Sequence, residues 1–188
     1  MAAPKNDNVK QQILDAAIRL FQEQHDVSLA EIAKEANVSK GTLFYHYRSK
    51  AEIYLDIGDR YWNKLSEDLL AWVDNAAKDT SIPRLVRYTF IRGVFDESGV
   101  LRLRLIVEAI SGEDGAAIKT RLNEQYVHFK NILKDRIVER LPGADGENLA
   151  WLLLTLVDGL MVQNTLQSGN MDISAFIEWM SANFSDFQ

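Results

Sequence analysis

The chain has 188 residues, 47% of them hydrophobic and 26% charged, which is ordinary for a globular protein. It contains no cysteine, so disulfides and thiolate chemistry are excluded, and its net charge of −6 argues against non-specific coating of nucleic acid. The longest apolar run, 149–157, is too short to span a membrane, and no secretory leader pattern opens the chain. We therefore expect a cytoplasmic protein with no membrane partner.

The charge is unevenly distributed. Residues 1–50 hold seven lysines or arginines and six acidic residues, whereas the remainder holds fourteen basic and twenty-one acidic residues. The first fifty residues are therefore slightly positive and the rest is strongly acidic. A small binding head on an acidic body is compatible with DNA binding, because local charge and helix ends make the contacts.

The chain opens with a small, polar segment, 1–7, that we expect to be a flexible tail. A first amphipathic helix is predicted over about 9–24, because Ile13, Ala17, Leu20 and Phe21 repeat at i, i+4, i+7 and i+8.

The next stretch, 28–47, has the pattern of a helix-turn-helix. Ser28 and Glu31 form a capping box at the start of one short helix. Asn37 tolerates the left-handed conformation that a sharp helix exit needs, and Ser39 is placed to cap a second helix. In that second helix the spacing predicts two faces. The inward face holds Leu43, Phe44 and Tyr47, and the outward face holds Thr42, Tyr45 and His46.

The charges near this motif indicate what it binds. No acidic residue occurs over 36–51, whereas Lys40, Arg48 and Lys50 are cationic. Lys40 and Lys50 lie in first helical turns, where free N–H groups and a partial positive charge attract phosphate. A helix of this size fits the major groove with its N-terminal residues at base edges. The alternative is a plain helical hairpin with a solvated face.

The rest of the chain reads as helices, with predicted ranges 49–77, 82–95, 98–111, 113–140, 145–167 and 172–185. The only strand-like alternation, Leu101 to Leu105, is short and flanked by helical sequence, so we assign it to a helix. The fold class is therefore all-α: a three-helix N-terminal head plus a C-terminal helical body, with about nine helices.

The last two long helices predict a homodimer. The run 149–166 is apolar almost all round, and such a helix must be buried on every face. Ile173, Phe176, Ile177, Met180 and Phe184 form an apolar stripe on the final helix, with Trp179 outside it. A second subunit would cover both helices. The alternative is that both complete a monomer core.

The sequence contains no recognisable pattern of catalytic or metal-binding residues. The three histidines, His25, His46 and His128, stand far apart, and no phosphate loop, nucleophile elbow or zinc-binding helix motif is present. We therefore expect no enzyme activity, no cofactor and no metal site.

The run AEIAKEANVSKGTLFYHYRSKAEI resembles the DNA-binding domain of the tetracycline-repressor (TetR) family, and the resemblance extends over roughly residues 8–66. It implies a tail at 1–7, a DNA-binding domain at 8–66 and an effector-binding and dimerisation domain at 67–188. Three positions depart from the family pattern: Phe44 replaces a usual Tyr, Asn37 a usual Gly, and Ala30 a frequent basic residue. The implied DNA contacts are Ser28, Lys40, Gly41, Thr42, Tyr45, His46 and Lys50, with Ser28 and Lys50 on phosphates.

The resemblance also implies how the body is used. The string Val157-Asp158-Gly159-Leu160 is similar to a string in the family's eighth helix, and the family dimerises through its last two helices. The resulting interface prediction is Leu154, Asp158, Gly159, Ile173, Phe176, Ile177, Met180 and Phe184. The family encloses an effector pocket in this domain. Here the polar or aromatic residues on core-facing helices are Trp62, Tyr88, Arg92, Arg104, Glu108 and Tyr126, and the arginines hint at an anionic, amphipathic effector.

The resulting hypothesis is a homodimeric regulator, most simply a repressor. It binds a palindromic operator in double-stranded DNA and leaves it when an apolar or amphipathic small molecule binds the body. One rival is an adaptor whose helical body docks a protein partner instead of a small molecule. A second rival, an enzyme with a DNA-targeting head, lacks a visible catalytic set.

Overall fold

The computed structural model describes residues 4–23, 26–75, 79–95, 99–112, 114–167, 169 and 171–187. Within them lie nine α-helices and a closing 3₁₀ helix, Phe184–Phe187. The α-helices are α1 (Pro4–Glu23), α2 (Leu29–Glu35), α3 (Lys40–His46), α4 (Lys50–Val73), α5 (Ile82–Val94), α6 (Gly99–Ser111), α7 (Gly115–Arg140), α8 (Gly146–Thr165) and α9 (Ile173–Asn183).

The all-α prediction is confirmed, with differences at helix ends. α1 begins at Pro4, so part of the predicted tail is helical, since proline suits the first turn of a helix. Residues 1–3 of that tail lie outside the described residues, as do His25 and the predicted end of α4 at 76–77. The alternating run at 101–105 is helical, inside α6. No helix in the described ranges is long and apolar enough to cross a membrane.

The chain divides into two compact units, Met1–Arg60 with Val100–Leu122, and Tyr61–Gly99 with Asn123–Gln188. We call them the head unit and the body unit. α4 and α7 each contribute residues to both, so the predicted boundary near residue 66 is not where the compact units divide.

The head unit is built around a core that α1 to α4 share with α6 and the start of α7. Its fully buried side chains include Ile13, Phe21, Ile32, Leu43 and Ile53. The predicted apolar stripe of α1 is buried, so its 3.6-residue period reports the packed face.

A polar contact secures the end of α3. The Tyr47 ring is buried, and its hydroxyl donates to an Asp56 carboxylate oxygen over 2.9 Å. Lys10 of α1 contacts the same oxygen at 2.6 Å. Burial, and then the bond to Asp56, raises the pKa of Tyr47 well above its ordinary value, so the phenol stays protonated.

The body unit has its own core, in which α5 packs against α8 and α9. Leu85, Val86 and Phe90 of α5 are fully buried, as are Leu153 of α8 and Phe184 at the end of α9. The stripe of the final helix therefore faces the core of its own subunit.

Two helical glycines give a test of this packing. A Cβ at Gly93 of α5 would collide with the buried Val157, whereas a Cβ at Gly58 of α4 would meet Leu105 and Leu122 at an ordinary 3.8 Å. Alanine relieves the helix penalty of glycine by about 1 kcal/mol, but overpacking costs about 1–3 kcal/mol. We therefore expect Gly93→Ala to lower the melting temperature and Gly58→Ala to raise it. Equal shifts in thermal unfolding would contradict the packing of α5 on α8.

Candidate nucleic-acid interface

The turn between α2 and α3 has the conformation that the sequence predicts. Asn37 adopts φ of 52°, and its N–H donates to the Lys34 carbonyl over 3.1 Å. The Val38 N–H donates to the Ala33 carbonyl over 2.9 Å. These bonds satisfy carbonyls that the end of α2 leaves open, and the chain turns directly into α3.

The start of α2 is closed by the predicted capping box. The Ser28 N–H and hydroxyl donate to one Glu31 carboxylate oxygen over 2.8 and 2.7 Å, and the Ser28 oxygen accepts from the Glu31 N–H over 3.2 Å. The bonds from the Ser28 backbone and side chain hold the pKa of Glu31 below its usual value. Both hydrogen-bond donors of Ser28 are engaged with this carboxylate. Ser28 therefore has no free donor for the phosphate that it was predicted to bind.

The start of α3 is open to solvent. The Ser39 oxygen accepts from the Thr42 N–H over 3.0 Å, and the two hydroxyls lie 2.8 Å apart. Lys40 and Gly41 are exposed, while Thr42 is half-buried. A Cβ at Gly41 would meet only the Ser39 hydroxyl, at 3.7 Å. The first turn of α3 thus presents backbone, a small surface and one cation.

The outward face of α3 differs from the predicted one at a single residue. Leu43 is fully buried, but Phe44 is 51% exposed and Tyr45 is 74% exposed. Placing Phe44 on the inward face is wrong, because Leu43 and Tyr47 fill the inner side of this short helix and the neighbouring position turns outward. His46 is half-buried, with its ring edge-on to Tyr45 at 5.1 Å between centroids.

Lys50 lies in the first turn of α4. Its side chain is 40% exposed, and its Nζ lies 3.7 Å from an Asp26 carboxylate oxygen. Beside it, the Arg48 N–H donates to a Glu52 carboxylate oxygen over 2.7 Å, and the Ser49 hydroxyl oxygen accepts from the Glu52 N–H over 3.4 Å, so both side chains satisfy N–H groups around the start of α4. The pair with Asp26 is long and lies at the surface, so a phosphate can displace it at small cost.

Comparison with known proteins agrees with this geometry. The model of the family "Bacterial regulatory proteins, tetR family" matches residues 13–57. The transcriptional regulator AcrR of Shigella flexneri is 28% identical over 166 residues, which cover 81% of this chain and 76% of AcrR. The negative regulator IcaR of the Staphylococcus epidermidis biofilm operon is 28% identical over 133 residues, covering 70% of this chain and 68% of IcaR. Residues 13–57 therefore carry a DNA-binding domain of the TetR type, and the chain as a whole is similar to transcriptional regulators.

Solved structures share the fold over nearly the whole chain. A TetR regulator from Haloarcula marismortui aligns with a TM-score of 0.77 at 15% identity, covering 97% of this chain and 98% of that one. FadR from Bacillus subtilis, solved in complex with stearoyl-CoA, aligns with a TM-score of 0.71 at 17% identity, covering 92% and 96%. At these identities the likeness shows the fold alone.

The six predicted effector residues fall into separate groups. Arg104 and Glu108 belong to the head unit, where Glu108 accepts a hydrogen bond from Tyr54. The other four lie in the body unit. Trp62 is buried in its core, 4.6 Å from the Tyr126 ring. Tyr88 and Arg92 instead line an open cleft on α5. The sequence analysis grouped these residues because they are polar or aromatic. Residue type does not indicate which helix faces pack against each other.

The predicted dimer residues also divide. Leu154, Ile177, Met180 and Phe184 are at most 3% exposed, because they pack into the body core, so they present no surface to a partner. Ile173, Phe176 and Asp158 are partly buried, and Asp158 accepts from the Tyr126 hydroxyl over 3.0 Å. Gly159 is exposed, with open space where a Cβ would lie.

Other apolar residues on α8 and α9 face solvent instead. Trp151, Leu166 and Trp179 are 38%, 70% and 54% exposed. Trp151 and Gly159 of α8 and Leu166, the residue that caps the end of α8, recur at i, i+8 and i+15, which places them on one side. The sequence prediction included Gly159 but missed Trp151, Leu166 and Trp179. Trp179, left outside the stripe, was the signal that could have found them.

The exposure of α3 predicts which substitutions affect DNA binding alone. We expect Phe44→Ala and Tyr45→Ala to weaken operator binding without lowering the melting temperature, because both side chains face solvent. Leu43→Ala, the matched buried control, should destabilise the fold by about 2–5 kcal/mol. Fluorescence anisotropy with labelled DNA and thermal unfolding measure the two effects. If Phe44→Ala lowers stability while the folded fraction keeps full affinity for operator DNA, then Phe44 packs in the core and does not contact DNA.

Substitutions at Ser28 and Lys40 should distinguish the effect of losing a helix cap from the effect of losing a phosphate contact. Ser28→Ala removes an N-cap worth about 1 kcal/mol, so we expect a lower melting temperature and an unchanged salt dependence of DNA binding. Lys40→Ala should leave stability unchanged and reduce the slope of log affinity against log salt by about 0.9 for each phosphate that it no longer neutralises. A reduced slope for Ser28→Ala would show that Ser28 does contact the DNA backbone.

Proposed function

We propose that this protein is a TetR-family repressor that binds a palindromic operator as a homodimer and leaves it when a small molecule binds the body unit. The observation that carries the proposal is the outward face of α3, where Lys40, Gly41, Phe44 and Tyr45 are exposed together. Two large aromatic side chains next to each other at the surface of a seven-residue helix form an apolar patch of the kind that marks an interaction site.

DNA is the partner that suits this face. Backbone N–H groups and the partial positive charge of a helix start favour phosphate, and Lys40 adds a full charge. Tyr45 carries a hydroxyl for base edges or phosphate, while Phe44 offers only an apolar ring. An apolar contact in the major groove suits the methyl group of thymine. The loss of the family's usual tyrosine hydroxyl at position 44 therefore changes the kind of contact and keeps the position at the interface.

A homodimer supplies the second reading helix. A two-fold dimer places two copies of α3 in successive major grooves, about 34–36 Å apart. The apolar surface that favours a second subunit consists of Trp151, Leu166 and Trp179. Tryptophan is prominent among residues that dominate protein interfaces.

The comparisons support repression and a ligand. IcaR is named a negative regulator, and FadR is an acyl-CoA-bound member of the same fold. AcrR and IcaR are regulators by name, and nothing in the proposal requires catalysis. They give no support to the rival protein-docking adaptor. α4 is the element through which a ligand can act, because this one helix begins with Lys50 and extends to Val73.

Selection of DNA fragments by the purified full-length protein tests the function. The retained fragments, once sequenced, should share an inverted repeat whose half-site centres lie about 10–10.5 base pairs apart or a multiple of that. A direct repeat or a single half-site would contradict the two-fold dimer. Retention of fragments with no shared sequence, at physiological salt, would contradict a specific operator.

The dimer surface can be tested by charge. We expect Trp179→Glu to shift the protein from dimer to monomer in sedimentation velocity and to weaken operator binding, while the helix content stays unchanged, because the residue is 54% exposed. Val127→Glu is the matched control, since Val127 is exposed on α7 and lies outside α8 and α9. If Val127→Glu dissociates the dimer and Trp179→Glu does not, the interface lies elsewhere.

A further inference from the structure

The body unit has an open cleft of about 510 Å³ between the end of α4 and the outer face of α5. We call it the α5 cleft. Trp72 contributes one wall, Arg84, Tyr88 and Arg92 recur along one face of α5, and Arg87 and the carboxylate of Asp79 also line the cleft. Its volume falls within the range of about 300–1,000 Å³ that is usual for small-molecule sites.

One wall of the cleft is aromatic and already ordered. The Trp72 and Tyr88 rings stack with 4.6 Å between centroids and 17° between planes. Ile91 adds an aliphatic surface. Two stacked rings present a flat, rigid apolar surface that loses little conformational entropy when a ligand binds. A flat apolar ligand body matches this wall.

The other wall holds two arginines, Arg84 and Arg87, whose terminal nitrogens make no hydrogen bond to a carboxylate among the described residues. Arg87 donates through Nε to a Glu178 carboxylate oxygen over 2.6 Å. Arg84 approaches an Asp79 carboxylate oxygen with its Nε, at 3.7 Å. Both contacts use Nε and orient the guanidinium group. Within the part of the chain that the structure describes, they leave the paired terminal N–H groups of Arg84 and Arg87 open.

Arg92 differs from these two. Its terminal Nη2 binds the Asp68 carboxylate, and that carboxylate also contacts Lys64 over 3.2 Å. Arg92 therefore already uses a terminal nitrogen within the protein, so the terminal N–H groups that remain for an anion in the cleft are those of Arg84 and Arg87. They stand three residues apart on α5, which places them on neighbouring rows of the helix surface.

We propose that the α5 cleft binds a small organic anion with a flat apolar body. The body lies against Trp72 and Tyr88, and a carboxylate or phosphate head accepts hydrogen bonds from the forks of Arg84 and Arg87. Planar arginine forks match carboxylate and phosphate geometry, and such pairs are among the strongest hydrogen bonds in proteins. The inference deepens the proposed function by naming an effector class, and it rests on that function only for the release of DNA.

The binding test uses the full-length protein without DNA. 2-Naphthoate supplies the flat body and the charge, 2-naphthamide supplies the same body without charge, and acetate supplies the charge alone. Isothermal titration calorimetry should show saturable binding of 2-naphthoate, with one site per chain. We expect 2-naphthamide to bind about tenfold more weakly or worse, and acetate to show no saturation. Equal affinity for the naphthoate and the amide would overturn the role of the arginines.

Glu178 provides the matched control. Arg87→Gln and Glu178→Gln both break the same surface ion pair, but only the first removes the cation. We expect Arg87→Gln to weaken 2-naphthoate binding about tenfold and Glu178→Gln to leave it equal or tighter, with similar melting temperatures for the two variants. Trp72→Leu should weaken both naphthyl probes. Unchanged 2-naphthoate binding in Arg87→Gln and Trp72→Leu would place the site elsewhere and overturn the proposal.

Operator binding distinguishes this inference from the proposed function. 2-Naphthoate should release the wild-type protein from selected operator DNA, and Arg87→Gln should need about tenfold more 2-naphthoate for the same release. A protein that binds operator but no 2-naphthoate overturns the cleft proposal and leaves the proposed function intact. A protein that binds 2-naphthoate through Arg87 but selects no operator supports the cleft and contradicts the proposed function. Cleft-dependent binding that leaves operator binding unchanged removes the effector role.

Discussion

The orientation of the exposed face of α3, the proposed DNA-binding face, depends on the polar contacts at the end of that helix. The Tyr47 hydroxyl donates to Asp56 of α4, and Lys10 of α1 contacts the same carboxylate oxygen. With Leu43 fully buried beside it, this contact fixes which side of a seven-residue helix faces inward. A helix so short has little stability of its own, so tertiary contacts must determine its orientation. The exposure of Phe44 and Tyr45 follows from that choice.

Hydrogen bonds at the helix ends and in the turn fix the local backbone geometry. They leave the polar groups of the proposed DNA-binding face accessible. Ser28, Ser39 and Asn37 use their hydrogen bonds at helix ends and in the turn. Lys40 and the first turn of α3 stay accessible. An aromatic surface is therefore exposed in the free protein, which is tolerable because the surface is small, and it lies on the proposed DNA-binding face.

The body unit repeats this division on a larger scale. Its core takes the apolar stripe of α9, which leaves Trp179 outside for a partner subunit in the proposed dimer. On α5, the inward residues pack against α8, and the outward arginines are oriented by single carboxylates. One amphipathic helix can therefore both close a core and line a cleft, because its two faces meet different surroundings.

The sequence alone predicts the all-α class, the helix-turn-helix, the left-handed Asn37 and the two serine caps, because these features follow from neighbours a few residues apart. It did not determine which apolar residues would be buried. Phe44 was assigned to the core and is exposed, and Ile177, Met180 and Phe184 were assigned to a partner subunit and are buried, since periodicity identifies an apolar face without naming what covers it. The six effector residues were grouped by chemistry, and the structure separated Arg104 and Glu108 from Tyr88 and Arg92. Burial and cleft geometry arise from contacts between residues far apart in the chain. The sequence pattern could therefore not predict which residues are buried or which line one cleft.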